Sequence, residues 1–110
     1  MEKLFDVQCA VHDISDSRLD PAAALDFVSD PGFGGVTMFI GRIRDFNVGR
    51  VVTGVSYDMF DALALNVFAG AAREASEACG PRLKVYVAHA KGHLRIGDIA
   101  VVVAAGTPHR

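Results

Sequence analysis

The sequence has no hydrophobic run long enough to cross a bilayer, no excess of basic residues and only two cysteines. A membrane-spanning helix needs about 20 consecutive apolar residues, and every apolar run here is far shorter. The N-terminus also lacks the basic-then-apolar layout of a signal peptide. A net charge of -2 and an isoelectric point near 6.0 argue against a general binder of nucleic acid or membrane surfaces. We expect a cytoplasmic protein that binds neither.

Motifs for metals and cofactors are missing as well. Cys9 and Cys79 fit no metal-binding spacing, so we interpret them as reduced core thiols. The glycines at 32–35 lie between a helix and a strand, which is the wrong order for a dinucleotide fingerprint. His89 and His93 are four residues apart on a strand and a turn, with no identifiable third ligand. We therefore expect no metal and no cofactor.

The composition is nevertheless that of a folded protein. Hydrophobic residues make up 51% of the 110 residues and charged residues 22%, whereas disordered chains are poor in apolar residues. A chain of this length buries about two-thirds of its unfolded surface, which is enough to form a core. We expect a single domain over residues 1–110, with no linker and no repeat.

The first half of the chain predicts strands around one short helix. An alternating pattern predicts a strand at 5–9. Asp20 and Pro21 form a helix-start signature before a short helix ending at Val28. Further strands are predicted at Val36–Arg44 and Arg50–Tyr57, and we expect these two to pair as a hairpin.

The second half predicts one long helix followed by strands. Apolar residues recur at helical spacing from Met59 to Cys79, with Asp58 as a candidate cap and Gly80-Pro81 as the stop. A strand follows at 83–87, and turns are predicted at 91–93 and 95–98. The continuous apolar run Ile99–Ala105 predicts a central strand buried on both faces. Together these elements predict an α+β fold, with one long helix packed across a mostly antiparallel sheet.

Cationic residues stand at the ends of two apolar runs. Arg42 and Arg44 are two residues apart on a predicted strand, so their guanidinium groups would point the same way. His109 and Arg110 follow the other run. Forked guanidinium donors suit phosphate and carboxylate groups, and two such ends brought together would form an anion pocket. Taken alone, each pair is equally compatible with solvated surface charge.

Two other residues have simpler interpretations. His89 shares a strand face with apolar residues, which favours a core histidine that is satisfied by a backbone partner. Lys91 follows that strand and carries no sign of a lowered pKa, so we interpret it as a surface lysine. The residues by themselves predict a small α+β domain with an anion pocket and specify no reaction.

Two long segments resemble a known family. GGVTMFIGRIRDFNVG is similar to the signature G-x-V-x-x-F-x-G-x-V-R-x-x-N-x-G of the large, catalytic subunit of molybdopterin synthase. AHAKGHLRIGDIAVVVAAGTPHR resembles that family's stretch H-R-x-G-x-L-x-x-G-[DE]-x-x-V-x-V-x-V-x-x-x-H-R. The two segments occur in the family's order, and the resemblance extends from about Phe5 to Arg110.

The resemblance implies an activity and its partners. Large subunits of this family form a homodimer within a heterotetramer, and a small ubiquitin-like sulfur carrier docks at each end. The carrier's C-terminal thiocarboxylate delivers sulfur to cyclic pyranopterin monophosphate, making molybdopterin, so the chain would be a sulfurtransferase of molybdenum cofactor biosynthesis. Arg44, His109 and Arg110 match the family's anion-pocket residues and become the expected catalytic and substrate-binding residues. Arg42 matches a basic position and is an expected substrate-binding residue.

The sequence also departs from the family pattern. Ala90 stands where the family usually has arginine. The family continues beyond its His-Arg pair with a helix and a segment of the type W-K-K-E, whose lysines are taken to be central to catalysis, and this sequence has no counterpart to them. Two alternatives therefore stay open: a non-catalytic module or fragment that keeps the anion pocket, and an interaction domain whose arginines are only solvated.

Overall fold

The fold consists of seven strands and two helices in the part of the chain that the structure describes. The computed structural model describes residues 4–47, 49–51, 53–80 and 82–110. Pro81, predicted to end the long helix, lies outside the described residues. In chain order the elements are β1 (Leu4–Asp13), α1 (Pro21–Val28), β2 (Gly35–Arg42), β3 (Phe46–Asn47), β4 (Arg50–Val51), β5 (Gly54–Tyr57), α2 (Asp61–Cys79), β6 (Arg82–Arg95) and β7 (Ile99–Thr107).

The main sheet has the order β1-β6-β7-β2, and β5 pairs with the far end of β6. β1 runs parallel to β6, whereas the β6–β7, β7–β2 and β5–β6 pairs are antiparallel. β6 has 14 residues, and this length lets its first part pair with β1 and β7 and its last part with β5. The predicted α+β class with a mostly antiparallel sheet is confirmed.

Helix α1 covers one face of the sheet. The side chain of Asp20 accepts a hydrogen bond from the Ala22 N–H at 3.0 Å, so the predicted cap is confirmed. Val28 and Ala24 are buried against alternate residues of β6 and β7, among them Val102. The contact is close because Gly106 has no side chain: a Cβ at this position would collide with the carbonyl oxygen of Val28.

Helix α2 covers the opposite face, mainly over β1 and β6. Its 19 residues confirm the predicted long helix, but Asp58 does not cap it. The helix begins at Asp61 and is preceded by Phe60, which makes no side-chain cap, so Asp58 is too far upstream to reach the first turn. Asp61 itself places negative charge in that turn, where the helix dipole favours it. None of the helices among the described residues is long and apolar enough to span a membrane.

The predicted hairpin between the second and third strands is wrong. β2 pairs with β7 over its whole length, and β5 pairs with β6. Between them the described residues form a short hairpin, in which β3 pairs with β4. Closeness in sequence favours a hairpin, but the strands that border β2 and β5 come from the last third of the chain, which no local pattern reveals.

Two details of the last strands also differ from the prediction. The segment 91–93 is not a turn, because β6 continues through it to Arg95; Gly92 has a positive φ of 98°, which a glycine adopts without strain. The turn at 95–98 is confirmed.

β7 is central in the sheet but is not buried on both faces: Ala100, Val102 and Ala104 are buried beneath α1, whereas Val103 on the other face is 36% exposed. Helix α2 lies mainly over β1 and β6, so this face of β7 is less buried than the face beneath α1.

Candidate functional site

The first cationic pair lies where β2 ends beside the turn that joins β6 to β7. The Nε of Arg42 donates a hydrogen bond to the carbonyl oxygen of Gly97 at 3.1 Å. Two backbone hydrogen bonds hold the neighbouring residues: the Ile43 N–H donates to the carbonyl oxygen of Asp98 at 3.0 Å, and the Gly97 N–H donates to the carbonyl oxygen of Ile43 at 2.8 Å. The strand register shifts between Gly41 and Arg42, which interrupts the regular alternation expected for the arginines. Arg44 follows, exposed, beyond the end of β2.

The second cationic pair lies at the other end of the same strands. His109 and Arg110 are exposed and follow β7 past Thr107, which pairs with Gly35 at the start of β2. The Gly34 N–H donates to the carbonyl oxygen of Pro108 at 3.0 Å, which holds the chain end against β2. A Cβ at position 35 would lie only 2.7 Å from the His109 carbonyl oxygen, so the close approach requires glycine here.

The two pairs do not meet within one chain. β2 has eight residues from Gly35 to Arg42, and its length of about 23 Å separates the His109–Arg110 end from the arginine end. This is longer than two extended arginine side chains placed end to end. An anion pocket that contains both pairs is therefore not formed by a single copy of the chain.

Two cavities are lined in part by residues at the turn that joins β6 to β7. The larger, of about 500 Å³, is lined by Asp13, Ile14, Ser15, Arg18, Gly92, His93, Arg95 and Asp98. The smaller, of about 130 Å³, is lined by Ile14, Arg18, Leu19, Gly97, Asp98 and Ile99. Neither contains a residue of the two predicted pairs. Sequence reasoning missed these cavities because their walls come from a loop near residue 15 and a strand end near residue 95.

The remaining candidates have structural partners. His89 is half-buried, and its Nδ1 lies 2.7 Å from the backbone carbonyl oxygen of Ala90, as expected for a histidine with a backbone partner. The edge of the Tyr57 ring packs against it, with centroids 5.0 Å apart. Ala90 is completely buried, so the site where the family usually has arginine is part of the apolar core.

Lys91 is more constrained than a surface lysine. Its Nζ donates to both carboxylate oxygens of Asp61, at 3.0 and 3.1 Å, and so joins β6 to the first turn of α2. This carboxylate holds the pKa of Lys91 above its ordinary value, and the charges of Asp13 and Asp58 act in the same direction. A lysine held in its protonated form is a poor nucleophile, which agrees with a structural role.

The fold and the two cationic strand ends define the class: an α+β protein with a mixed sheet between two helices and basic groups at an exposed sheet edge. A sequence profile described as MoaE protein matches residues 14–110. The chain belongs to this family.

Curated relatives are similar over most of the chain. A molybdopterin synthase catalytic subunit from Synechococcus elongatus is 38% identical over 89 residues, which is 81% of this chain and 54% of that protein. Molybdopterin synthase catalytic subunit 1 from Mycobacterium tuberculosis is 35% identical over 100 residues, covering 88% and 65%. The chain thus spans less than two-thirds of the length of these relatives.

Solved structures share the fold. Molybdopterin synthase from Staphylococcus aureus superimposes with a TM-score of 0.82 at 25% identity, covering 91% of this chain and 70% of that one. A complex of subunits 1 and 2 of molybdopterin-converting factor from Helicobacter pylori matches with a TM-score of 0.64 over 94% of this chain. At 18% identity, the second match shows the fold alone.

Proposed function

We propose that this chain acts as the catalytic subunit of a molybdopterin synthase. It would be a cytoplasmic sulfurtransferase that passes sulfur from a thiocarboxylated carrier protein to cyclic pyranopterin monophosphate and requires no cofactor. The observation that carries the proposal is the family match over residues 14–110, together with relatives that are named as catalytic subunits. A single domain over residues 1–110 is part of the proposal, since both helices pack on one sheet.

The proposal includes a small protein partner. The resemblance in the sequence implies a ubiquitin-like sulfur carrier, the small subunit of the enzyme. The Helicobacter pylori structure of similar fold is a complex of two different subunits, which supports a partner of this kind. The expected assembly has a homodimer of this chain at its centre and a carrier at each end.

The exposed edge of β2 is our candidate for the homodimer contact. β2 is the last strand of the main sheet, and its outer edge pairs with no strand of the described residues. Both of its faces carry exposed apolar side chains: Val36, Met38 and Ile40 on one face and Phe39, which is 61% exposed, on the other. A long apolar edge strand is a template for pairing with another chain, and pairing with its own copy would cover it.

A homodimer with two-fold symmetry about β2 would also bring the two cationic pairs close to each other. In an antiparallel pairing of β2 with its copy, Arg42 and Arg44 of one protomer lie beside the start of β2 in the other. His109 and Arg110 of that second protomer pack against the same start, one strand further on. The separation becomes two strand spacings, about 10 Å, which the side chains can bridge.

The resulting pocket would hold anions of the expected kind. Cyclic pyranopterin monophosphate carries a phosphate, and the carrier brings a thiocarboxylate. Arg44 and Arg110 would supply forked donors to the anions. Once the thiocarboxylate sulfur has bonded to the pterin, water would add to the acyl carbon, and His109 would donate from its ring to the resulting oxyanion. The acyl–sulfur bond then breaks, so that sulfur stays on the pterin and the carrier leaves as a carboxylate. Arg42, held by the Gly97 carbonyl oxygen through Nε, keeps its two terminal nitrogens for substrate.

The test is an assay of molybdopterin formation with the thiocarboxylated carrier and the pterin substrate. Arg44→Ala and His109→Ala should each lower turnover about 100-fold or more, as expected for loss of an oxyanion donor. Arg73→Ala, an exposed arginine on α2, is the matched control and should retain full activity.

Mixing the two inactive variants tests whether the pocket is shared. A mixed dimer of Arg44→Ala and His109→Ala chains has one complete site and one doubly substituted site, so random exchange should restore about a quarter of wild-type activity. A pocket within one chain would give no restoration. Near-native turnover by Arg44→Ala would remove that residue from the mechanism.

A non-catalytic binding module is the second candidate. The observation that favours it is Ala90, which is completely buried in the apolar core at the position where the family usually has arginine. This candidate predicts that the chain binds carrier and pterin in calorimetry but does not convert the substrate. If neither ligand binds, both candidates are wrong.

A further inference from the structure

The larger cavity is not used by the proposed function. It lies between the loop that carries Ser15 and Arg18 and the end of β6 with its turn, at Gly92–Asp98, and we call it the loop–turn cleft. Its volume of about 500 Å³ falls within the range of about 300–1,000 Å³ that is usual for sites of small molecules.

Two guanidinium groups line this cleft without a partner in the described part of the chain. The side chains of Arg18 and Arg95 line it, and neither makes a hydrogen bond or ion pair with any described residue. Unpaired arginines within one concave site are suited to bidentate binding of phosphate.

His93 gives the cleft a fixed wall. Its Nδ1 lies 3.0 Å from the hydroxyl of Ser56 on the neighbouring strand β5, which sets the orientation of the ring. The ring packs against Gly54, where a Cβ would lie 3.0 Å from both Cε1 and Nε2. A histidine held on both sides offers a ring edge in a constant position.

The two carboxylates in the cleft bind the backbone instead of the arginines. Asp13 Oδ1 accepts hydrogen bonds from the Ser15 N–H at 3.0 Å and the Ser15 hydroxyl at 2.7 Å, which hold the pKa of Asp13 below its ordinary value. Asp98 Oδ2 accepts from the Arg95 N–H at 2.8 Å. The second oxygen of each carboxylate makes no hydrogen bond to the described part of the chain, so it can accept one from a ligand.

The smaller cavity extends the cleft toward the core. It shares Ile14, Arg18 and Asp98 with the larger cavity and adds the apolar side chains of Leu19 and Ile99. Its volume of about 130 Å³ is suited to a compact, partly apolar portion of a ligand.

We propose that the loop–turn cleft binds a small phosphate-bearing molecule that also carries N–H donors. Arg18 and Arg95 hold the phosphate, and the free oxygens of Asp13 and Asp98 accept from the donors. The site differs from the predicted pocket, because no residue of the two cationic pairs lines either cavity, although Arg42 binds the carbonyl oxygen of Gly97 in the neighbouring turn. The proposal does not depend on sulfur transfer.

The experiment is a titration of the ¹⁵N-labelled chain followed by NMR, with three probes. Guanosine 5′-monophosphate carries both a phosphate and amino donors, ribose 5-phosphate lacks the base, and inorganic phosphate supplies the anion alone. We expect saturable shifts at the amides of 13–18 and 92–98, with the tightest binding for the nucleotide. Arg18→Gln and Arg95→Gln should each weaken binding at least about fivefold, whereas Arg73→Gln and Arg44→Gln should leave it unchanged.

The outcomes separate the parts of the proposal. Absence of saturable shifts for all three probes would overturn it, as would shifts that persist unchanged in both cleft variants. Equal affinity for the nucleotide and ribose 5-phosphate would overturn the role of the two carboxylates. The spectrum of each variant also reports whether it is folded, so loss of binding cannot be confused with loss of structure.

Discussion

β7 and β2 are hydrogen-bonded neighbours with similar apolar sequences, but their surroundings are opposite. They pair from Gly35–Thr107 to Arg42–Ile99. Alternate residues of β7 are buried beneath α1, and Val102 is completely inaccessible. β2 is exposed on both faces over most of its length.

The difference shows that an apolar strand is not necessarily a core strand. β7 has a strand on each side and a helix over one face, whereas β2 pairs with one strand among the described residues. Apolar residues at a free edge contribute little to the stability of one copy, but they are available for association. We interpret β7 as the strand that stabilises the fold and β2 as the strand that is available for association.

The largest expected effect is in the interior, at Gly106. Gly106→Ala would place a Cβ against the carbonyl oxygen of Val28, a backbone atom that cannot move without displacing α1. We expect a loss of about 3 kcal/mol in the free energy of unfolding, measured by urea denaturation. Gly70→Ala is the control: no atom lies within 4 Å of its Cβ, and removing a helix glycine should stabilise by about 1 kcal/mol. Equal effects of the two substitutions would contradict the close packing of α1.

A matched valine pair compares the two strands directly. Val102→Ala should cost about 2 kcal/mol, because it removes two buried carbons and leaves a cavity. Val36→Ala, at a side chain that is 44% exposed, should cost less than about 0.5 kcal/mol. Both are measured at a concentration at which sedimentation shows the chain to be monomeric. A cost at Val36 similar to that at Val102 would show that β2 is covered within one copy.

The smallest effect concerns the ion pair between β6 and α2. The pKa of Lys91 is raised in the folded state, so its contribution to stability is complete below the ordinary lysine pKa and is lost as pH rises through the raised value. We expect the stability of the wild-type chain to fall more steeply above about pH 10 than that of Lys91→Met. Asp61→Asn should likewise make the fall in stability above about pH 10 less steep. Burial raises the pKa of Tyr86 in all three proteins, so its contribution cancels in the comparison.

Local features were predictable from the sequence where neighbouring residues decide them. The Asp20 cap, the long helix and the turn at 95–98 follow from side chains within a few residues of each other, and all three are confirmed. The Asp58 cap failed because the helix starts at Asp61, two residues later than predicted, a shift that periodicity does not resolve.

The candidate site was predictable only in part. Arg42, Arg44, His109 and Arg110 were recognised from their positions after apolar runs, and their functional roles remain predictions. The two cationic pairs lie at opposite ends of β2, because β2 pairs with β7 in antiparallel orientation over its whole length. The loop–turn cleft was not predictable, because Arg18 and Arg95 are far apart in sequence.

The sequence by itself determined the two helices and the approximate positions of the long strands, because spacing, caps and turn residues act over a few positions. Only the tertiary structure decided which strand lies in the interior and which at the edge, and therefore which cationic groups can share a ligand. The physical reason is that burial and strand partners depend on contacts between distant segments, and two apolar runs of similar composition are equally suited to either position.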